Sequence, residues 1–186
     1  LYFLDFETIQ YAIPRWAGTK PYQQIPFQFS LHRLDSNSSW DHSEFLDLSG
    51  SDPTRSFAEK LVEGCGNEGA IFVYNASFES ARIRELSERF EDLSSALLSL
   101  NDRMVDLHPI SKRNFYHPSQ QGSWSIKYLL PAICPDMEDA YQNLIGVQNG
   151  TMAMDAYIAA TELADMEPAK AEIADQLRSY CKLDTW

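Results

Sequence analysis

Basic residues are scarce in this 186-residue sequence, which has 15 Lys and Arg against 27 Asp and Glu and a formal net charge of −12. A broad basic surface that grips many phosphates along a duplex is therefore not expected. The acidic excess does not exclude a local site for divalent cations, because the carboxylates that hold such ions are acidic by necessity and the bound ions reverse the local charge.

Long apolar runs are also absent. No stretch approaches the roughly 18 uninterrupted apolar residues of a membrane span, and the N-terminus lacks the basic flank and cleavage site of a signal peptide. We therefore expect a soluble protein with no membrane partner. Only three cysteines occur, at Cys65, Cys134 and Cys181, and their spacing predicts neither a disulfide framework nor a thiolate zinc site. This usage favours a reducing, cytoplasmic setting.

The length of the chain, with 44% apolar residues, suffices for one substantial core and not for two. A single domain spanning residues 1–186 is therefore predicted. Because the sequence begins inside an apolar run and stops inside a predicted helix, we expect it to be a piece of a longer protein. Other domains of that longer chain are then expected partners.

Five segments have the apolar or alternating pattern of strands: residues 1–6, 25–34, 40–48, 70–74 and 104–107. Helices are predicted between the later strands and through most of the chain after Ser125, with breaks at Pro131, Pro135 and residues 146–150. Pro168 is well placed to begin the last helix. Residues 108–123 are predicted to form one long loop. This order predicts an α/β fold with a mixed sheet flanked by helices.

The first candidate site is the pair Asp5 and Glu7 at the end of the first strand. Alternation along a strand directs both carboxylates to the same face, so both can reach one pair of metal ions. The same spacing recurs at Asp136/Glu138 and Asp165/Glu167, in polar helical surroundings that indicate solvated surface. On this motif alone, metal ligation and simple solubility of the strand end remain equally good interpretations.

The second candidate is Glu79, in the sequence Tyr-Asn-Ala-Ser-Phe-Glu where an apolar strand gives way to a helix. Glu79 is expected in the first helical turn, beside the strand end. An acid there also complements the helix dipole, and Asn75 is a possible cap. Taken alone, this segment is better explained by helix stability than by a site.

The third candidate is Tyr180 with Asp184 in the last helix. Residues four apart lie on the same helix face, and no other tyrosine of the chain has an aspartate four residues later. A packed tyrosine next to a surface aspartate is the alternative interpretation.

Together these segments resemble the three motifs of the DEDD-type 3′–5′ exonuclease superfamily, and the resemblance spans nearly the whole chain. The form of the third motif resembles the tyrosine subclass, because Ser179 stands where the histidine subclass has its histidine. More narrowly, the chain is similar to an uncharacterised bacterial domain family that is often internal to larger proteins. The resemblance implies a ribonuclease-H-like fold, a mixed five-stranded sheet flanked by helices.

The resemblance also implies an activity, the hydrolysis of nucleic-acid phosphodiester bonds from a 3′ end with two Mg²⁺ or Mn²⁺ ions. Asp5 would bridge both ions, Glu7 and Asp184 would complete the first, Glu79 would support the second, and Tyr180 would orient the attacking water. The superfamily normally has Asp where this chain has Glu79, so a changed metal preference or rate is expected.

Substrate contacts are expected from the second motif and from the long loop. By the resemblance these are Asn75 and Phe78. In and beside the loop, basic and aromatic residues are positioned to meet phosphates and unpaired bases: Lys112, Arg113, Phe115, Tyr116, His117, Trp124 and Lys127. Surface exposure and local packing are the better explanation of such residues when they are taken alone.

Two other functional classes remain open. An aspartyl-phosphate phosphatase also has an apolar strand that ends in an acid pair, but its pattern has Asp where this chain has Glu7. A non-catalytic module that binds nucleic acid or a protein is favoured by Glu79 and the acidic composition. The retained Asp5, Tyr180 and Asp184 speak against that module. His32, His42 and His108 belong to no motif and are expected to be structural or on the surface.

Overall fold

The computed structural model describes residues 1–186 and contains one five-stranded sheet. Its strands are β1 (Tyr2–Ile9), β2 (Ile25–Leu34), β3 (Trp40–Leu46), β4 (Ile71–Val73) and β5 (Met104–Asp106), in the spatial order β3-β2-β1-β4-β5. The first three strands pair antiparallel, whereas β4 and β5 add in parallel on the other side of β1. The sheet is therefore mixed and β1 is central, as in ribonuclease-H-like folds.

Eight helices flank the sheet: α1 (Thr54–Cys65), α2 (Ser77–Arg89), α3 (Ser94–Asp102), α4 (Leu107–Asn114), α5 (Ile126–Ile133), α6 (Asp136–Gln142), α7 (Gly150–Glu162) and α8 (Pro168–Leu183). Pro168 does begin the last helix, as expected from its missing N–H at the first helical position. None of the helices combines the length and the apolar character that crossing a bilayer requires.

Two hydrophobic cores lie on opposite faces of the sheet. The larger one joins Leu4, Phe6 and the middle of β2 to α1, α2 and α3. The smaller one joins Ile9 and Phe27 to Tyr157 of α7 and Leu177 of α8. Between these two groups, alternation along β1 leaves Asp5 and Glu7 on the face opposite to Leu4 and Phe6, the face on which α8 packs.

A β-bulge lies beside the first acidic motif. Glu7 pairs with Gln28 and Thr8 with Pro26, so Phe27 is the additional residue of β2. A bulge changes the direction in which the bulged strand presents its side chains. Phe29 accordingly packs into the larger core, whereas Phe27, two residues earlier, packs into the smaller one.

Three of the predicted boundaries are wrong. β1 continues past Phe6 to Ile9, because its pairing with β2 continues that far, so both acids lie within the strand. Residues 108–123 are not one loop, since α4 occupies the first part of them. Its first turn is capped by the Asp106 side chain, which accepts from the His108 N–H at 3.0 Å. Pro131 does not interrupt the chain but lies in the last turn of α5, where the helix ends two residues later.

Candidate functional site

The first acidic pair lies in the middle of the sheet. Asp5 pairs with Ser30 and Glu7 with Gln28 on the neighbouring strand, so the two carboxylates share one face. Glu7 is only 7% exposed, and none of the hydrogen bonds of the structure involves its carboxylate. A buried carboxylate without a hydrogen-bonding partner is costly, which indicates that the pair is built to bind something.

The second motif brings Glu79 close enough for its charge to act on Asp5 and Glu7. The chain leaves β4 through Asn75, whose φ of +72° is in the left-handed region that asparagine tolerates, and enters α2 two residues later. The Asn75 N–H donates to Asp106 Oδ1 at 3.0 Å, which holds this turn against the end of β5. Glu79 is 3% exposed, and its Oε2 is buried without any partner. The Asn75 side chain does not cap the helix, since its Oδ1 accepts from the Ser77 hydroxyl and from no N–H group of the first turn.

The third motif comes from the end of α8. Tyr180 is buried in the smaller core, and Asp184 is the first residue after the helix. The Tyr141 hydroxyl of α6 donates to Asp184 Oδ1 at 2.7 Å. The Lys127 ammonium of α5 donates to the Tyr180 hydroxyl oxygen at 2.7 Å and to the Gln148 carbonyl at 3.0 Å. Helices α5 and α6 therefore cover and orient this part of the site.

Cys181 is an additional donor that the sequence analysis did not include. Its Sγ lies 4.0 Å from Asp5 Oδ2 and 3.8 Å from the Asp5 carbonyl oxygen. Asp5, Glu7 and Cys181 each offer one ligand atom, and these three atoms lie within 4.8 Å of one another. This spacing suits a shared metal ion. Glu79 and Asp184 stand outside this tight group, although their charges act on the Asp5 carboxylate.

The pKa values of all four acids are raised. Burial, followed by the charge of Asp184, raises the pKa of Glu7 to about 8. Burial is also the first cause at Glu79, whose pKa is raised to about 7. The pKa of Asp5 is well above its usual value and that of Asp184 is raised as well, again with burial as the largest cause. Lys127 acts in the opposite direction on Glu7 and Asp184, because a nearby cation favours the ionised carboxylate.

A cleft of about 460 Å³ opens beside Glu7, the only one of the four acids that lines it. Glu7 and Phe78 form one wall, Gln10 and Gln24 form the edge towards the β1–β2 connection, and the first turn of α7 at Gly150 closes the far side. Of the expected substrate contacts, only Phe78 lines this cleft. Its ring lies 5.5 Å from the guanidinium of Arg82.

The basic and aromatic residues after β5 are not gathered at the acids. Lys112 and Arg113 are exposed in the last turn of α4, where basic side chains complement the helix dipole. Trp124 lies near Tyr116, with ring centroids 6.2 Å apart, and its carbonyl accepts from the Tyr74 hydroxyl. Phe115 and His117 likewise make no contact with the acids. Lys127 alone reaches the site, through Tyr180.

Sequence reasoning missed Cys181 and Tyr141. Cys181 lies inside the third motif, and helix geometry alone places it on the face next to that of Tyr180. Tyr141 had no detectable signal, because it approaches Asp184 from a separate helix.

The profile of a family described as Domain of unknown function (DUF2779) matches residues 2–125, two thirds of the chain. The chain belongs to this family. The part matched by the DUF2779 profile includes all five strands and three of the acids, Asp5, Glu7 and Glu79, and ends before α8. No curated protein and no solved structure matches the chain.

The donor set fits divalent cations. Four carboxylates offer oxygen ligands, which Mg²⁺ and Mn²⁺ prefer, and Glu79 keeps its buried Oε2 free of hydrogen bonds. The Cys181 sulfur is a softer donor at the edge of the same group. The residues that could hold the ions are therefore Asp5, Glu7, Glu79 and Asp184.

Proposed function

We propose that this domain is a metal-dependent 3′–5′ exonuclease that hydrolyses nucleic-acid phosphodiester bonds and releases 5′-nucleotides. The observation that carries the proposal is the gathering of four carboxylates from β1, α2 and the end of α8, close to the Tyr180 hydroxyl, where the charges of the other three act on Asp5. Glu7 and Glu79 are buried, and Asp5 and Asp184 are half-buried. Such a group does not stabilise the fold by itself, because removing a carboxylate from water makes its charged form unfavourable.

Asp5, Glu7, Glu79 and Asp184 are the residues that would hold two Mg²⁺ or Mn²⁺ ions. When bound, two such ions would make a water nucleophilic at neutral pH and would neutralise charge on the leaving oxygen. Asp5 is central among the acids, because the charges of Glu7, Glu79 and Asp184 all act on its carboxylate. Tyr141 holds the Asp184 carboxylate in one orientation through its hydroxyl.

Tyr180 is proposed to orient the attacking water. Burial, followed by the charge of Glu7, raises the pKa of the Tyr180 hydroxyl, so it stays protonated at neutral pH. Its oxygen accepts from Lys127, which leaves the hydroxyl proton available for a water or a phosphate oxygen. Lys127 thereby fixes the direction in which this proton points.

The cleft beside Glu7 is proposed to receive the 3′ end of a DNA or RNA strand. Its polar edge residues, Gln10 and Gln24, offer amide groups to a sugar or a base, and Phe78 offers a ring face. The three cysteines are free thiols, which supports a cytoplasmic location for this activity.

The direct test uses 5′-labelled single strands of DNA and RNA with Mg²⁺ or Mn²⁺. A ladder that shortens from the 3′ end is expected, and a strand with a blocked 3′ end should resist. Asp5→Asn keeps the side-chain volume but removes a charged ligand, so it should abolish cleavage while the domain stays folded. Asp136→Asn is the matched control, because Asp136 has the same spacing to a glutamate but is exposed on α6. Equal cleavage by wild type and Asp5→Asn would refute the proposal.

A non-catalytic binding module is the second candidate. It is favoured by the Lys127 ammonium, which already supplies positive charge next to Glu7 and Asp184. If the wild type binds neither Mn²⁺ nor Mg²⁺ by calorimetry and forms no ladder, this candidate replaces the exonuclease.

A further inference from the structure

Three polar side chains form a row on β2, next to the acids of β1. Gln28, Ser30 and His32 alternate along the strand, so they lie on one face, and each is only 1% exposed. Polar groups in a dry interior are destabilising unless hydrogen bonds satisfy them. We call these three residues the polar row. Their hydrogen-bonding partners identify their role.

All three side chains form hydrogen bonds with α8 or with Thr185, which lies just after this helix. Gln28 Nε2 donates to the Leu177 carbonyl oxygen at 2.9 Å. The Thr185 hydroxyl lies 2.7 Å from the Ser30 hydroxyl and 2.8 Å from His32 Nδ1. These bonds connect the second strand of the chain with its last helix, in two places on either side of Tyr180.

The protons of this network can be assigned without conflict. Thr185 donates its hydroxyl proton to the Lys182 carbonyl oxygen at 3.0 Å, so its oxygen accepts from Ser30 and from His32 Nδ1–H. Ser30 then accepts from His42 Nε2–H at 3.0 Å. Burial lowers the pKa of both histidines, that of His32 to about 4, so each ring is neutral and carries the single proton that this scheme needs.

The polar row lies beside the acids in register. Ser30 is the direct cross-strand neighbour of Asp5, and Gln28 that of Glu7, so their side chains share the face covered by α8. Anchoring α8 on this row brings Tyr180 and Asp184 over the acidic pair. Asp184 needs such an anchor, because it follows the last helical residue and helix ends fray unless something holds them.

We propose that the polar row positions the third motif, with the buried Thr185 hydroxyl as the contact that holds the backbone at Asp184 in place. Gln28, Ser30, His32 and Thr185 are positioning residues, because they act on the proposed site only through Asp184 and Tyr180. Since Asp184 is a metal ligand only if the proposed function holds, this inference rests on that function.

Thr185→Val tests the inference, because valine keeps the shape of threonine and removes only the hydroxyl. We expect the dissociation constant for Mn²⁺, measured by titration calorimetry, to rise by on the order of tenfold to a hundredfold, the usual effect of losing a group that orients a ligand. Thr185→Ser restores the hydroxyl and should restore most of the affinity. The Michaelis constant for the nucleic-acid strand should change little, since the cleft is untouched.

A matched control separates positioning from general packing of α8. Arg178→Gln removes a contact between α8 and β3, the 3.0 Å ion pair of Arg178 with Glu44, and should leave Mn²⁺ affinity unchanged. A folded Thr185→Val with wild-type Mn²⁺ affinity overturns the inference, as does an equal loss in Arg178→Gln.

If the wild type binds no Mn²⁺, the proposed function fails, but hydrogen exchange can still test whether Thr185 anchors the end of α8. The backbone amides of residues 181–186 should exchange faster in Thr185→Val than in the wild type or in Arg178→Gln, because their anchor is lost. Unchanged protection of these amides in Thr185→Val overturns the anchoring role, independently of any metal.

Discussion

Replacing Glu79 with Gln removes the charge of a buried carboxylate while keeping its size. Glu79 is 3% exposed, its Oε2 has no partner, and burial followed by the charge of Asp106 raises its pKa from 4.5 to about 7. The folded protein without metal therefore holds a proton on Glu79 more tightly than the unfolded chain does. The free energy of unfolding must then depend on pH through this group.

The size of the effect follows from the shift. One pKa unit corresponds to about 1.4 kcal/mol, so a shift from 4.5 to about 7 corresponds to about 3 kcal/mol. Because the folded pKa is the higher one, the stabilising contribution is complete below about pH 4.5 and is lost as the pH rises through 7. Glu79→Gln has no proton to lose, so it avoids this loss.

Urea unfolding with a chelator present, at several pH values, measures the prediction. The stability of Glu79→Gln relative to the wild type should rise by up to about 3 kcal/mol from acidic pH to about pH 8. Added Mn²⁺ at about 100 times its dissociation constant should stabilise the wild type by roughly 2.7 kcal/mol and the variant by less. The exposed Glu68→Gln controls for the substitution itself. A relative stability that does not change with pH would refute this account of the site.

Three further substitutions test single residues. Tyr180→Phe should slow the chemical step by a factor on the order of 10² without changing Mn²⁺ affinity, because the hydroxyl is proposed to orient water and not to bind metal. Single-turnover kinetics measures this rate, and a normal rate would show that Tyr180 is only a packing residue. Glu79→Asp should retain cleavage with an altered ratio of Mg²⁺ to Mn²⁺ activity, and an unaltered ratio together with a fully active Glu79→Ala would remove Glu79 from the site. Cys181→Ser should leave the Mg²⁺ dependence of cleavage unchanged, because Mg²⁺ takes oxygen ligands; a large rise in the required Mg²⁺ concentration would show that the sulfur contributes to the site.

Local patterns predicted much of the fold. The apolar run before Asp5, the alternation along residues 25–34 and the position of Pro168 each depend on neighbours a few residues away, and the strands and the last helix follow from them. The fifth strand and the α2 turn at Glu79 were also predicted correctly. The first turn of α4 was missed, because turn-forming residues also occur where a side chain such as Asp106 caps a helix.

Burial, which the sequence does not show, contributes more to the raised pKa values of the four acids than their mutual repulsion does. The repulsion comes second at Asp5 and Glu7. A sequence gives the number of charges in a motif but not the amount of protein that covers them.

The sequence by itself determined the strand that carries Asp5 and Glu7, the helix start that carries Glu79, and the spacing of Tyr180 to Asp184, because these depend on backbone periodicity. Tertiary structure alone decided which other side chains meet them. Tyr141, Lys127 and the polar row come from distant segments, and their hydrogen bonds form only after α5, α6 and α8 have packed on the sheet. Periodicity is a property of neighbouring residues, whereas a buried polar contact between distant segments depends on how the whole chain packs.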